Sequence, residues 1–170
     1  MQCRGYLIKT IDYIHPKLDL VGSYLSLLVL RMLLAWEFGE AGFEKLHGTN
    51  WFADITFPFP FNLIPADISW YLSLSFEIVG AFLLFFGLAT RFISASLIIL
   101  TIVAIAAVHW PEHWNTLGEL IKGYRIIDEG NDGFGNYKLP VIYIVMFIPL
   151  LFSGAGKLSI DYWLFKNCHK

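Results

Sequence analysis

The sequence predicts an all-α protein, a four-helix transmembrane bundle with a short interfacial amphipathic helix in its third connection. Hydrophobic residues make up 56% of the 170 residues, and the mean hydropathy of +0.59 exceeds that of an ordinary soluble domain. The charged residues are clustered, and long apolar ranges separate the clusters. Each range can cross a hydrocarbon core of roughly 30 Å at about 1.5 Å per residue. That length disfavours the alternative, a soluble bundle of unusually apolar helices.

The apolar ranges place the helices along the chain. The ranges 92–108 and 139–156 contain no charged residue, and the range 68–90 contains only Glu77. Arg31 alone interrupts the first range, 20–34. Helices are therefore predicted near residues 20–43, 68–89, 91–109 and 139–158. They form one membrane domain, 20–162, between an N-terminal arm, 1–19, and a C-terminal tail, 163–170.

Basic residues flank the predicted helices unevenly. One side carries seven of them, and the other carries four, Lys45, Lys122, Arg125 and Lys138. Because basic residues concentrate on the cytoplasmic side, both termini are expected in the cytoplasm. No apolar core of a signal peptide precedes helix 1, so this helix is expected to be an uncleaved anchor. The seven basic residues expected on the cytoplasmic side are Arg4, Lys9, Lys17, Arg91, Lys157, Lys166 and Lys170.

The cysteine content excludes one class of redox protein. Cys3 and Cys168 are the only cysteines, and the predicted topology places both on the reducing side of the membrane. They cannot form a Cys-x-x-Cys pair. A thiol relay that generates disulfides on the outer face is therefore not expected.

Three carboxylates follow the first apolar range, in the stretch LAWEFGEAGFEKLHG. On a helix that turns about 100° per residue, Glu37, Glu40 and Glu44 fall within about 60° of one another. Ionised groups inside a bilayer cost about 2.5–3.5 kcal/mol each, so this stripe is expected to face the bundle interior. Glu77 is predicted at a similar depth, and the deeper Arg31 has a long side chain that can reach toward it.

Two explanations of these charges involve no chemistry. In the first, Arg31 pairs with Glu77 or Glu37 and locks the bundle, since buried charges are usually paired. In the second, helix 1 ends early and its last charges are simply hydrated at the membrane interface. Glu44 and Lys45 fit the second explanation best, whereas Glu37 and Glu77 fit it worst.

Two further explanations assign a site to the same residues. In one, Glu37 or Glu77 exchanges a proton beside a quinone headgroup while Arg31 orients a quinone carbonyl. In the other, Glu37, Glu40 and Glu77 bind a cation together with His109. The sequence leaves all four explanations open.

An aromatic segment follows helix 1. Phe57, Phe59 and Phe61 alternate with two prolines, which excludes a helix and favours an extended chain. The segment either anchors at the membrane surface, as aromatic belts do, or folds back over the bundle. In the second case it would help to form a quinone pocket, whose candidate binding residues are Glu40, Phe57, Phe59, Phe61 and Trp70.

The third connection, residues 109–138, carries the predicted amphipathic helix and two histidines. His109 and His113 are four residues apart, the spacing that places two ligands on one helical face and could hold copper or zinc. Pro111 between them argues against a continuous helix, and an aromatic belt at the end of helix 3 is the favoured explanation of His109 and Trp110. The apolar residues that recur at helical spacing are Leu117, Leu120, Ile121, Tyr124 and Ile127.

Three motifs in order resemble the DoxX family of small bacterial membrane proteins. They are RMLLAWEFGEAGFEKLHG from Arg31, GLATRF from Gly87 and LLFSGAGKLSID, which ends at Asp161. The resemblance covers roughly residues 24–162. It implies a four-helix protein of the bacterial inner membrane, often linked to redox physiology. DoxD, a related subunit, belongs to a thiosulfate:quinone oxidoreductase, and other members are associated with oxidative-stress or metal-handling systems.

Two functions are therefore expected as alternatives. In the first, the protein is an accessory subunit of a quinone-linked membrane redox system that receives electrons from a partner protein, because the chain has no haem motif, cysteine pair or nucleotide loop. In the second, it is a non-enzymatic membrane scaffold or a metal-handling protein. The lipid bilayer is the common partner, and a homo-oligomer is compatible with either. The net charge of −2 gives no sign of nucleic-acid binding.

Overall fold

The computed structural model describes residues 2–127 and 132–166, and within them all regular structure is helical. The predicted cytoplasmic positions of Cys168 and Lys170 lie outside the described residues. Two single 3₁₀ turns, Phe52–Asp54 and Phe61–Leu63, lie in the first connection. The helices are α1 (Gln2–His47), α2 (Ala66–Phe86), α3 (Thr90–Ala104), α4 (Leu117–Lys122), α5 (Lys138–Ser153) and α6 (Ile160–Lys166).

Helix α1 begins earlier than the prediction near residue 20. Its 46 residues correspond to about 69 Å at the α-helical rise, which is more than twice a hydrocarbon core. Helix 1 is predicted to begin near residue 20 because charged residues precede that position, but charged residues do not end a helix. Residues 12–20 are all exposed, so this part of α1 extends away from the bundle.

Three helices are long and apolar enough to span a membrane. They lie within Asp12–His47, Ala66–Phe86 and Thr90–His109. Helix α5 is equally apolar but has 16 residues, since Gly154 ends it at a φ of +79°. A fourth membrane span therefore stays a prediction.

A helix does form in the third connection, but it is short. Helix α4 has six residues, and Thr116 caps it in a capping box with Glu119. The predicted apolar repeat continues to Ile127, whereas the helix ends at Lys122. Its placement at a membrane interface stays a prediction.

The core lies where α1 packs on α2 and α3 packs on α5. Its fully buried side chains include Leu34 of α1, Leu84 of α2, Leu97 of α3 and Phe147 of α5. Burial of each such apolar side chain contributes about 1.5–3 kcal/mol relative to exposure in water. These contacts hold the four long helices in one group.

Arg31 joins α1 to the end of α2 and to the segment between α5 and α6, and does not pair with Glu37 or Glu77. Its guanidinium donates to the carbonyls of Leu84, at 3.1 Å, and Phe85, at 3.4 Å, where α2 ends. It also donates to the carbonyl of Leu158, after α5. The expected pairs with Glu37 or Glu77 are therefore wrong. The carbonyls at a helix C-terminus carry partial negative charge and so attract the guanidinium, and the carboxylate of Asp161 adds a favourable electrostatic interaction.

Gly87 and Asp161 complete this junction. Gly87 has a φ of +66°, and a Cβ there would lie 2.1 Å from a guanidinium nitrogen of Arg31. Asp161 accepts hydrogen bonds from the backbone N–H groups of Ala89, at 2.8 Å, and Thr90, at 2.9 Å, and so caps α3. We call these residues, Arg31, Gly87, Ala89, Thr90 and Asp161, the Arg31 junction. The three motifs that carry the family resemblance all contribute to it.

Candidate binding site between the membrane helices

A cavity of about 460 Å³ lies at the opposite end of the bundle from the Arg31 junction. Pockets of this size hold small organic ligands and cofactors. The last turns of α1, the start of α2, the end of α3 and the start of α5 surround it. Its wall is mainly apolar, and its ionisable lining residues are Glu37, Lys45, Glu77, His109 and Tyr143.

Lys45 and Glu77 form an ion pair in the cavity wall. The ammonium of Lys45 donates to Oε1 of Glu77 and, at 3.0 Å, to the hydroxyl of Ser73. Ser73 in turn donates to Oε1 of Glu77 at 3.3 Å. The side chains of Lys45 and Glu77 are 16% and 4% exposed. Glu77 thus has the paired environment that a buried charge requires, but its partner is Lys45, not Arg31.

The second oxygen of Glu77 is different. Oε2 is buried and has no hydrogen-bond partner among residues 2–127 and 132–166. A buried acceptor without a partner costs about 1–3 kcal/mol. Glu77 therefore carries an unsatisfied acceptor inside the helix packing beside the cavity.

Glu37 lies on another part of the wall, where Tyr143 of α5 donates its hydroxyl to Oε2 of Glu37. The Tyr143 ring also packs against Phe38, with ring centroids 5.7 Å apart. This hydrogen bond joins α1 to α5 across the cavity. Tyr143 and Lys45 are site residues that sequence reasoning missed. Nothing in the local sequence marks a tyrosine, or a lysine near the end of a helix, as the partner of a carboxylate on another helix.

A π-helical segment places His109 at the cavity. Residues Ile105–His109 continue α3 with a wider turn, and the N–H of Trp110 donates to the carbonyl of Ile105 at 2.7 Å. Single π turns are frequent at functional sites. Nδ1 of His109 lies 2.7 Å from Oδ1 of Asn136, whose amide nitrogen donates to the carbonyl of Ile126. Since Oδ1 can only accept, Nδ1 donates to it.

The aromatic segment folds back over the cavity. Phe52 is buried against Trp70 and Phe57, with both centroid distances 5.1 Å. Phe57 and Phe61 line the cavity, as does Phe52. Two of the residues predicted for this pocket do not line the cavity. Phe59 is 79% exposed, and Trp70 contacts the ring of Phe52 instead.

Several predicted site residues lie elsewhere. Arg31 belongs to the junction, about 9 Å below Glu37 by helix rise. Glu40 is exposed and does not line the cavity. The side chain of His113 is 87% exposed, away from His109 in the wall. Within the described ranges no three His, Cys, Asp or Glu side chains are grouped to hold a metal ion.

The cavity opens between α2 and α3. Its lining includes side chains that are also exposed on the outer surface of the bundle: Leu72 and Phe76 from α2, and Ile99 and Val108 from α3 or its π extension. In a membrane this surface faces lipid. An apolar molecule can therefore enter from the bilayer.

Gly42 allows α1 to approach α2 closely beside the Lys45–Glu77 pair, and its substitution tests the importance of this approach. A Cβ on Gly42 would lie 2.7 Å from Cγ1 of Ile78 and 3.1 Å from Cβ of Glu77, so Gly42→Ala is expected to push α1 away from α2. We expect a loss of about 1–3 kcal/mol of stability, the usual cost of overpacking, measured as thermal unfolding in detergent. Gly39→Ala is the matched control, since its Cβ would make ordinary 3.5 Å contact with Ala81. Equal stability of the two variants would contradict this account.

Comparison with known proteins places the chain in a family. The sequence profile of the DoxX family matches residues 26–110, which run from α1 through the π segment. The chain belongs to the DoxX family. An uncharacterized protein of Haemophilus influenzae (strain ATCC 51907 / DSM 11121 / KW20 / Rd) is 48% identical over 147 residues, or 85% of this chain and 87% of that protein. No solved structure matches this DoxX-family protein at a significant level.

Proposed function

We propose that this DoxX-family membrane protein is an accessory subunit of a quinone-linked redox system, and that its cavity binds the quinone headgroup. One observation carries the proposal. A largely apolar cavity between membrane helices has a buried ion pair, Lys45–Glu77, in its wall. A structural ion pair does not need an adjoining cavity, whereas a site for an amphipathic ring combines an apolar cavity with a few polar groups.

The residues present suit such a ring. Phe52, Phe57 and Phe61 provide aromatic surface on one side. Lys45 uses two of its three N–H groups within the protein, so one remains for an oxygen of the headgroup. The opening between α2 and α3 leaves a route for an alkyl tail into lipid.

A bound quinone would supply the two-electron, two-proton chemistry, with electrons exchanged with a redox partner protein. The chain's own residues bind and handle protons. Glu77 and Glu37 are the proton acceptors at the wall, and Tyr143 holds Glu37 in place. Lys45, not Arg31, is the cation that orients a headgroup oxygen.

The membrane arrangement is part of the same proposal. We place α1, α2, α3 and α5 across the bacterial inner membrane, with both termini in the cytoplasm. Support comes from the basic residues: Arg91 donates to the carbonyl of Phe152 and Lys157 donates to Ser23, so both lie at the end of the bundle that holds the Arg31 junction. The cavity then lies toward the outer surface.

Mass spectrometry of molecules retained by the protein tests the proposal. Protein purified in mild detergent is analysed for quinones, lipids and metals. We expect about one quinone per chain in the wild type and a loss in Ala107→Leu, whose added atoms enter the cavity. Ala106→Leu is the matched control, because Ala106 is exposed and outside the lining.

The outcomes separate the two functional classes. Quinone retained by wild type and Ala106→Leu, and lost from a folded Ala107→Leu, supports the redox role. Absence of quinone from all three proteins would overturn it in favour of a membrane scaffold. Retention of copper or zinc in place of quinone would instead favour the metal-handling alternative.

A further inference from the structure

The first part of α1 projects beyond the rest of the bundle. Helix α2 has 21 residues and is about 31 Å long, the thickness of one hydrocarbon core. Arg31 contacts the last turn of α2. Residues 12–20 lie about 17–29 Å before Arg31 along α1, which places them beyond the core and the lipid headgroups. All of them are exposed, so the described part of the chain leaves this arm uncovered.

A stripe of apolar side chains runs along this arm. Its members follow one another at steps of four, three and four residues, the spacing of the core positions in a coiled coil. Their exposed fractions lie between 43% and 61%. The same alternation of steps continues in the sequence in both directions, from Leu7 to Met32, so the repeat exceeds three heptads. We call the exposed members the α1 stripe: Ile14, Leu18, Val21 and Leu25.

The α1 stripe faces away from the bundle. On a helix that turns about 100° per residue, its four side chains fall within about 60° of one another. Leu34, which is buried in the core, and Leu27, which lies beside Gly156, project from the opposite side of α1. Pro16 is on that side too, so its ring does not interrupt the stripe. The stripe therefore stays accessible in the assembled bundle.

The charges around the stripe permit contact between identical copies. Lys17 is the cation beside the stripe, and its ammonium donates to the hydroxyl of Tyr13 and lies 3.8 Å from the centre of that ring. Asp12 and Asp19 project more than about 100° from the middle of the stripe. In a parallel coiled coil Lys17 would flank Gly22 of the neighbouring copy, so no like charges would face each other across the contact.

We propose that the α1 stripe is the contact surface for further copies of this chain, which associate outside the membrane as a parallel coiled coil. Copies inserted the same way into one bilayer have parallel α1 helices, and each presents the same stripe to a rotation axis along the membrane normal. Leu18 and Leu25 take the first core position of the heptad, and the β-branched Ile14 and Val21 take the second. This arrangement favours three or four strands over two.

The arm itself favours such a contact. A lone helix of this length that contains a proline is only marginally stable in water. Association with other copies removes the apolar side chains of the stripe from water and so stabilises the arm. The inference does not rest on the proposed function, since the stripe and the cavity lie at opposite ends of α1.

Cross-linking between identical positions tests the proposal. Leu18 and Leu20 are each 61% exposed, but Leu20 projects from the opposite side of α1. Each is changed to cysteine in the full chain after replacement of Cys3 and Cys168 by serine, and membranes are treated with a short bifunctional maleimide. Thiols at a core position of a parallel coiled coil face one another, so we expect at least about fivefold more cross-linked product from Leu18→Cys than from Leu20→Cys.

A charge at the same two positions measures the strength of association. Labelled protein is diluted with lipid in vesicles, and energy transfer between copies gives the dissociation constant. Leu18→Glu would bury carboxylates in the contact and is expected to raise the dissociation constant at least about tenfold, whereas Leu20→Glu is expected to leave it unchanged. Both positions lie outside the core, so thermal unfolding equal to that of the wild type shows that the bundle is intact in each variant.

The outcomes decide what covers the stripe. Preferential cross-linking of Leu18→Cys, together with weakened association of Leu18→Glu, supports contact between copies. Equal cross-linking at both positions, or a wild type that stays monomeric in vesicles, would overturn the inference. Cross-linking of Leu18→Cys to a different protein in native membranes, in place of a second copy, would also overturn it and would assign the stripe to that protein. None of these outcomes bears on the quinone proposal, which retention of quinone tests separately.

Discussion

Arg31→Met is expected to leave little folded protein. The Arg31 side chain is 1% exposed, and its guanidinium binds the carbonyls at the end of α2 and after α5. A hydrogen bond from a charged donor contributes about 1.5–3 kcal/mol, so the loss of several is expected to lower the free energy of unfolding by more than about 3 kcal/mol. Thermal unfolding in detergent, followed by circular dichroism, measures the effect.

Arg91→Met is the matched control for this experiment. Arg91 is also an arginine that donates to a backbone carbonyl, that of Phe152 at 3.1 Å, but it is exposed. Its loss is expected to change stability by less than about 1 kcal/mol. Arg31→Lys should recover only part of the stability, since an ammonium cannot present the planar fork of donors. An Arg31→Met protein as stable as Arg91→Met would refute the role of the junction.

The Lys45–Glu77 pair is expected to show strong coupling in a double-mutant cycle. Lys45→Met leaves the Glu77 carboxylate buried without its cation, and Glu77→Met leaves the ammonium without its anion. Breaking one side of a buried pair costs about 3–5 kcal/mol. The double variant removes both charges and is expected to lose far less than the sum of the two single losses.

Unfolding of the wild type, the two single variants and the double variant completes the cycle. Additive losses would mean that Lys45 and Glu77 act independently, and would contradict the ion pair. A double variant that is stable yet binds no ligand would show that the pair serves binding more than stability. The same four proteins thus separate the two roles that buried charges can have.

The apolar ranges were sufficient to locate α2 and α3 to within a few residues. The predicted start of helix 1, near residue 20, lies too far along the chain because charged residues precede it. Charged residues are unfavourable in the part of a helix that faces lipid, but a helix can continue past them into water. The end of α5 depended on Gly154 and its positive φ, which hydropathy does not register. The pattern of apolar residues therefore does not reveal the geometry of turns or how far a helix continues outside the membrane.

The candidate site was predicted in part. The number of residues from each helix end predicts that Glu37 and Glu77 lie at a similar depth in the membrane, and both line the same cavity. Their partners, Tyr143 and Lys45, could not be derived, because each contact joins helices whose relative rotation no periodicity defines. Arg31 was assigned to a carboxylate because carboxylates are visible in a sequence, whereas the carbonyls at a helix end are not.

The placement of the Arg31 junction has a consequence for how molecules would exchange with the bilayer. Hydrogen bonds fix α2 and α3 where they meet, at residues 84–90, while the cavity lies at their far ends. Helix α2 is about 31 Å long, so a tilt of about 3° at the fixed end moves its other end by about 1.6 Å. Small rotations of α2 or α3 about this junction would therefore change the width of the entrance. A substitution near that junction that leaves the protein folded should therefore change the rates of entry and exit.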